Sequence, residues 1–104
     1  MAQIEVSKKI GSRTAQQVKE PSLFRVIYLN DDETTADFVV DSLVQHFDYT
    51  EATAAMITNT IHETGAATVA VLPYEIAEQK GIEITVEARS NNYPLQIKLE
   101  PEEG

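Results

Sequence analysis

Leu23-Phe24-Arg25-Val26-Ile27-Tyr28-Leu29 runs directly into Asn30-Asp31-Asp32-Glu33-Thr34-Thr35-Ala36-Asp37-Phe38. The run from Leu23 to Leu29 is rich in β-branched and aromatic residues, the composition of a strand. Thr34 or Thr35 then caps a helix whose apolar positions Ala36, Val39, Val40, Leu43, Val44 and Phe47 recur at three-to-four spacing. The chain therefore passes from strand to helix through a short acidic turn.

The remaining elements extend outward from this unit. A break at Asp48 separates the first helix from a second, for which Asp48 and Glu51 have capping-box spacing and Ala54, Ile57 and Ile61 face inward. Gly65 stands where a left-handed C-cap would end it. Ala67 to Leu72 reads as a second, buried strand, and Pro73 suits the first turn of a third helix. Over that next segment two patterns compete. Ile82-Glu83-Ile84-Thr85-Val86-Glu87 alternates with period two, and Gly81 weakens a helix by ~1 kcal/mol. Ile76, Ala77, Ile84 and Ala88, however, keep helical spacing between Tyr74 and Arg89. Asn91-Asn92 makes a turn, and Tyr93 to Glu100 a final strand. Residues 1–20 are polar, with scattered apolar residues and no helical stripe, and are expected to form a flexible arm before a domain at 21–104. The expected fold is α+β, one small domain of order β-α-α-β-α-β with three helices packed on a three-stranded antiparallel sheet.

Composition narrows the function. A chain of 104 residues is sufficient for one modest core. It has no cysteine, which excludes disulfides, thiolate catalysis and Cys-ligated metal. No apolar run approaches the roughly 18 residues that would span a bilayer, and no signal-peptide core opens the chain, so no membrane role and a cytoplasmic location are expected. Lys8, Lys9, Arg13 and Lys19 against Glu5 and Glu20 give residues 1–20 a net charge of +2, so the rest carries -11 of the overall -9. A body this acidic is repelled by phosphate backbones, which argues against a nucleic-acid partner.

Asn30, Asp31 and Asp32 have an ordinary structural reading, since such residues bond nearby backbone amides in turns and favour helix N-termini. Three acceptors in succession nevertheless exceed what capping requires, and carboxylates with an amide oxygen suit an ammonium group. His62 follows inward Ile61 near a helix C-terminus, where a histidine would also favour the dipole. The other histidine, His46, has no evident partner and reads as surface. Catalytic patterns are missing. His62-Glu63 lacks the second histidine of a zinc-peptidase helix because residue 66 is Ala. Asp31, Glu33, Thr35 and Asp37 alternate like a calcium loop, but no glycine supplies its turn and Ser42 holds the twelfth position. With no glycine-rich phosphate loop either, the chain is expected to be no enzyme and to carry no cofactor or metal.

Pro21 to Asp32, Thr34, Phe38 and Val39, His62 with Gly65, Glu75 with Ala77 and Glu78, and Tyr93-Pro94-Leu95 together resemble the ClpS family, adaptors that capture proteins by their N-terminal residue. The resemblance runs from about Pro21 to Glu100 and implies a third helix rather than a strand. It implies that Asn30, Asp31 and His62 grip a free α-amine, with Asp32 and Thr34 beside the peptide backbone at the pocket rim. Ala36, Val39, Thr58, Ile61 and Leu95 would wall a pocket for the first side chain. Glu75 and Lys80 match positions that dock on the N-terminal domain of a Clp unfoldase, and residues 1–20 match an extension that assists substrate hand-over. The implied partners are that unfoldase and substrates led by Phe, Tyr, Trp or Leu, bound by a monomeric adaptor. The chain departs from the family where methionine is common, at Ala36 and Thr58. An alternative reading is a structural module like the C-terminal domain of the ribosomal stalk protein, with Asn30 to Asp32 serving only as a cap.

Overall fold

The computed structural model describes residues 22–103, so the expected arm at 1–20 lies outside the described residues. The observed order is β1 (Leu23–Leu29), α1 (Ala36–Phe47), α2 (Glu51–Thr64), β2 (Ala66–Pro73), α3 (Tyr74–Ser90) and β3 (Gln96–Pro101). The strands form one antiparallel sheet in the order β2-β1-β3. β1 is thus central: Leu29 pairs with Ala66 on one side and Gln96 on the other.

Period-two alternation along β1 sends Val26 and Tyr28 into the core, both with no exposed surface. Val39 and Leu43 of α1, Ala54 and Ile61 of α2, and Ala77, Ile84 and Ala88 of α3 pack with them. Three of the helix contacts are alanines, whose small side chains let helix backbones approach closely. The buried Tyr28 hydroxyl lies 2.8 Å from Ser42 Oγ. Because Ser42 Oγ already donates its proton to the Val39 carbonyl, at 2.8 Å, Tyr28 must be the donor in that pair. Burial holds the phenol well above its ordinary range, partly offset by the Ser42 bond and reinforced by the charge of Glu87.

Several local expectations change at the element ends. Thr35, not Thr34, caps α1, its hydroxyl accepting from Phe38 N–H at 3.1 Å. The cap of α2 is Thr50, which accepts from Thr53 N–H at 3.1 Å. Asp48, expected to open α2, instead closes α1 in a left-handed conformation with φ 60°. Pro73 belongs to β2 and precedes α3 as its cap residue. Ile76 points outward and is 46% exposed, while Ala77, Ile84 and Ala88 face the core. His46 is not a free surface residue: its ring sits between α1 and α3, with Nε2 3.2 Å from Glu87 and Nδ1 3.7 Å from Glu83. Sequence spacing alone could not place two acids on another helix beside it.

The alternating segment 82–87 is helical, and Gly81 lies inside α3. A Cβ added there would meet only Ile97 Cγ2, at an ordinary 3.8 Å. Gly81→Ala is therefore expected to raise stability by roughly 0.5–1 kcal/mol through helix propensity, read as a higher urea midpoint at unchanged slope.

Candidate functional site

The β1–β2 ladder continues one step beyond the strands. Asn30 N–H donates to the Gly65 carbonyl at 2.9 Å, while Gly65 N–H donates to Ile61 O at 2.9 Å. Gly65 adopts φ 94°, the left-handed C-cap expected from the sequence. These two bonds fix the end of β1 against the last turn of α2, and so bring Asn30 beside the turn that carries His62.

Asp31 organises the turn that follows. Its Oδ1 accepts from Glu33 N–H at 2.8 Å and Thr34 N–H at 2.6 Å, and its Oδ2 from the Thr34 hydroxyl at 2.8 Å. Burial tends to raise the carboxyl pKa. The bonds from Thr34 and Glu33, with the charge of Arg89, outweigh it and hold the group below the ordinary carboxylate range. The turn thus gains stability from ionised Asp31 above the ordinary carboxylate pKa and loses it as pH falls through the lowered folded value. A carboxylate has about four lone-pair sites, so these three bonds leave capacity for another donor. The structural reading of Asp31 as a turn former is realised without exhausting it.

A cavity of about 640 Å³ opens beside this turn. Asn30, Asp31, Asp32, Thr34, Ala36, Val39, Thr58, Ile61 and His62 all line it, bringing together the residues expected at the amine site, the rim and most of the wall. Leu95 does not line this cavity; it is 1% exposed and borders a separate groove with Leu29, Thr85 and Arg89. Glu75 and Lys80 lie apart on α3, Glu75 exposed in its first turn. Four further lining residues have no site role in the sequence reading: Asp37, Val40, Ala55 and Asn59. Helical spacing was the available signal, since Val40 follows Ala36 and Asn59 follows Ala55 by one turn. Arg89, which no sequence pattern links to the turn, donates to the carbonyls of Tyr93 at 2.8 Å and Leu95 at 2.9 Å, and its charge reaches Asp31 from α3.

The cavity lining combines apolar Ala36, Val39, Val40 and Ile61 with the acceptors of Asn30, Asp31 and Asp32. That arrangement suits a guest with one cationic, donor-rich end and one apolar end. Among the described residues, no group of three or more His, Cys, Asp or Glu is arranged to hold a metal ion. None of the described helices is long and apolar enough to cross a membrane.

Comparison with known proteins agrees with this geometry. The family model described as ATP-dependent Clp protease adaptor protein ClpS matches residues 19–98. The chain is 39% identical to the ClpS adapter protein of Treponema denticola over 86% of this chain and 89% of that protein. It is 41% identical to the ClpS adapter protein of Roseobacter denitrificans over 90% of this chain and 83% of that one. A solved structure of Agrobacterium tumefaciens ClpS2 bound to L-phenylalaninamide superposes with a TM-score of 0.77 at 37% identity, covering 80% of this chain and all of that one. Family model, relatives and fold coincide over nearly the whole domain: this chain belongs to the ClpS family, adaptors of the ATP-dependent Clp protease and not enzymes.

Proposed function

We propose that this adaptor recognises destabilising N-terminal residues (Phe, Tyr, Trp and Leu) through the free α-amine and the first side chain together, and delivers their owners to a Clp unfoldase in the bacterial cytoplasm. The observation that carries the reading is the 640 Å³ cavity, whose lining joins apolar Ala36, Val39, Val40 and Ile61 to Asn30, Asp31, Asp32 and His62. The relative that binds phenylalaninamide supports it, because that ligand presents a free amine and an aromatic ring.

The chemistry divides between two ends. A protonated α-amine offers three donors to Asn30 Oδ1, the Asp31 carboxylate and His62, and each charge-assisted bond contributes ~1.5–3 kcal/mol. An aromatic side chain buries ~150–250 Å² in the pocket, worth about 4–6 kcal/mol. Association removes at least ~4 kcal/mol, which makes roughly micromolar affinity the expected result. The amine distinguishes a chain start from an internal segment, and the pocket distinguishes residue types. Asp32 and Thr34 flank the peptide backbone at the rim; Leu95, buried in the core, supports the wall from there.

Delivery is assigned to α3. Glu75 stands between Tyr74 and Ile76, which are 43% and 46% exposed, and Lys80 lies farther along the same helix. Exposed apolar residues beside an acid suit docking on the unfoldase N-terminal domain.

Fluorescence anisotropy of a labelled Phe-led peptide tests the recognition. Binding in the micromolar range should be lost on N-acetylation, and Asp31→Ala or His62→Ala should weaken it by roughly tenfold or more. Equal binding of the free and acetylated peptides would instead favour the structural-module reading.

Affinity should also fall as pH rises through about 8, where a peptide α-amine loses its proton. The same titration with the acetylated peptide should be flat. Asp31 does not limit binding in mild acid, because its carboxyl stays ionised below the ordinary range.

Ala36 stands at the cavity where the family commonly has methionine, and it is exposed to the guest. Rejection of β-branched first residues should accordingly be loose, with Phe- and Ile-led peptides differing by less than about a hundredfold. Ala36→Met should widen that gap; a gap already above a hundredfold in the native chain would contradict the role given to Ala36.

A further inference from the structure

The geometry points to Thr58 as a selector for first residues that carry a hydrogen-bond donor on the ring, tyrosine above phenylalanine. The inference rests on the amine-and-pocket reading above and goes one step deeper into the same cavity.

The state of the Thr58 hydroxyl carries the argument. Its Oγ1 donates to the Ala54 carbonyl one turn back on α2, at 2.8 Å. A hydroxyl has a single proton, so with that proton committed Thr58 presents only acceptor lone pairs. Thr58 lines the cavity and is half-buried, whereas His62 at the mouth is exposed. Burial therefore deepens from His62 towards Thr58. The two residues lie four apart on one helix, about 6 Å along its axis. A tyrosine side chain covers a similar distance from its α-carbon to its phenolic oxygen. With the amine held at His62 and the ring lying along α2, the phenolic O–H arrives at the level of Thr58 Oγ1.

Elsewhere the lining combines apolar Ala36, Val39, Val40, Ala55 and Ile61 with the carboxylate of Asp37, which is exposed in the first turn of α1. A phenol lying against those apolar residues without an acceptor would leave its donor unsatisfied, which is costly. Thr58 removes that cost for tyrosine. It contributes nothing comparable to phenylalanine or leucine, whose side chains have no donor. The methionine common at this family position would have only a weak sulfur acceptor, so the preference belongs to this chain's own residue. Asn59, on the same helix, also lines the cavity, but its amide carries both donors and acceptors and so favours no one sign of partner.

The test measures the affinities of otherwise identical Tyr-led and Phe-led peptides for the full chain and for Thr58→Val, Thr58→Ala and Thr58→Ser. The readout is the ratio of the two affinities within each protein, so a general change in the pocket cancels. The ratio should favour tyrosine in the native chain and fall about fivefold or more in Thr58→Val. Thr58→Ser restores the acceptor and should keep the native ratio within about twofold; Thr58→Ala gives the same readout as valine should the valine variant fail to fold. Amine-dependent binding with an unchanged ratio in the valine or alanine variant would overturn the assignment to Thr58 and leave the adaptor reading intact. Native-chain binding that is absent, or that survives acetylation of either peptide, would overturn the adaptor reading and this inference with it.

Discussion

One backbone hydrogen bond, from Asn30 N–H to the Gly65 carbonyl, closes the end of the central strand onto the end of α2. Everything at the candidate site depends on it. The amide and carboxylate of the turn come from one segment, the imidazole from another more than thirty positions along the chain, and this bond is where the two backbones meet. It forms only because Gly65 leaves the helix with φ 94°, a conformation that side-chain-bearing residues rarely adopt. The space around it is otherwise open, since a Cβ there would meet nothing within 4 Å. The demand for glycine is thus one of backbone conformation and not of crowding.

Asp31 organises its own turn and, on the proposed reading, would serve recognition with the same carboxylate. Its carboxylate is preorganised by three hydrogen bonds within its own turn, so it need not be ordered when a guest arrives. Those donors also keep it ionised, which is the form that an ammonium requires. Preorganisation and charge have the same source.

The strand-turn-helix unit was legible because its signals are local: a β-branched run, an acidic turn, a threonine cap and a helical stripe in succession. Gly65 was legible for the same reason. The third helix was not, because Ile82 and Val86 imitate a strand. Both prove 59% exposed on a helix whose buried positions are Ala77, Ile84 and Ala88. The two patterns competed because apolar residues on that helix are not confined to its inner face; the family resemblance, not the periodicity, decided between them. The start of α2 was misplaced because Asp48 and Thr50 both suit a cap, and only the tertiary path shows that Asp48 is used to end α1. His46 escaped because its acidic neighbours come from α3. At the site, the turn and His62 were legible, whereas Arg89 acts on Asp31 from a distant helix that no spacing rule connects to it.

The helices on either side of the cavity are anchored in different ways. α1 is held to the sheet through Ser42 and Tyr28, to α3 through His46, and to the core through Val39 and Leu43. α2 buries only Ala54 and Ile61, and its Met56 stands 70% exposed. The cavity thus lies between a helix tied to Tyr28 and α3 by side chains and one whose last turn is tied to the end of β1 by backbone through Gly65. α2 carries both Thr58 and His62 along that cavity, so on the proposed reading a first side chain and its own amine would press on the same helix. On that reading, fit at one end of the guest bears on hold at the other.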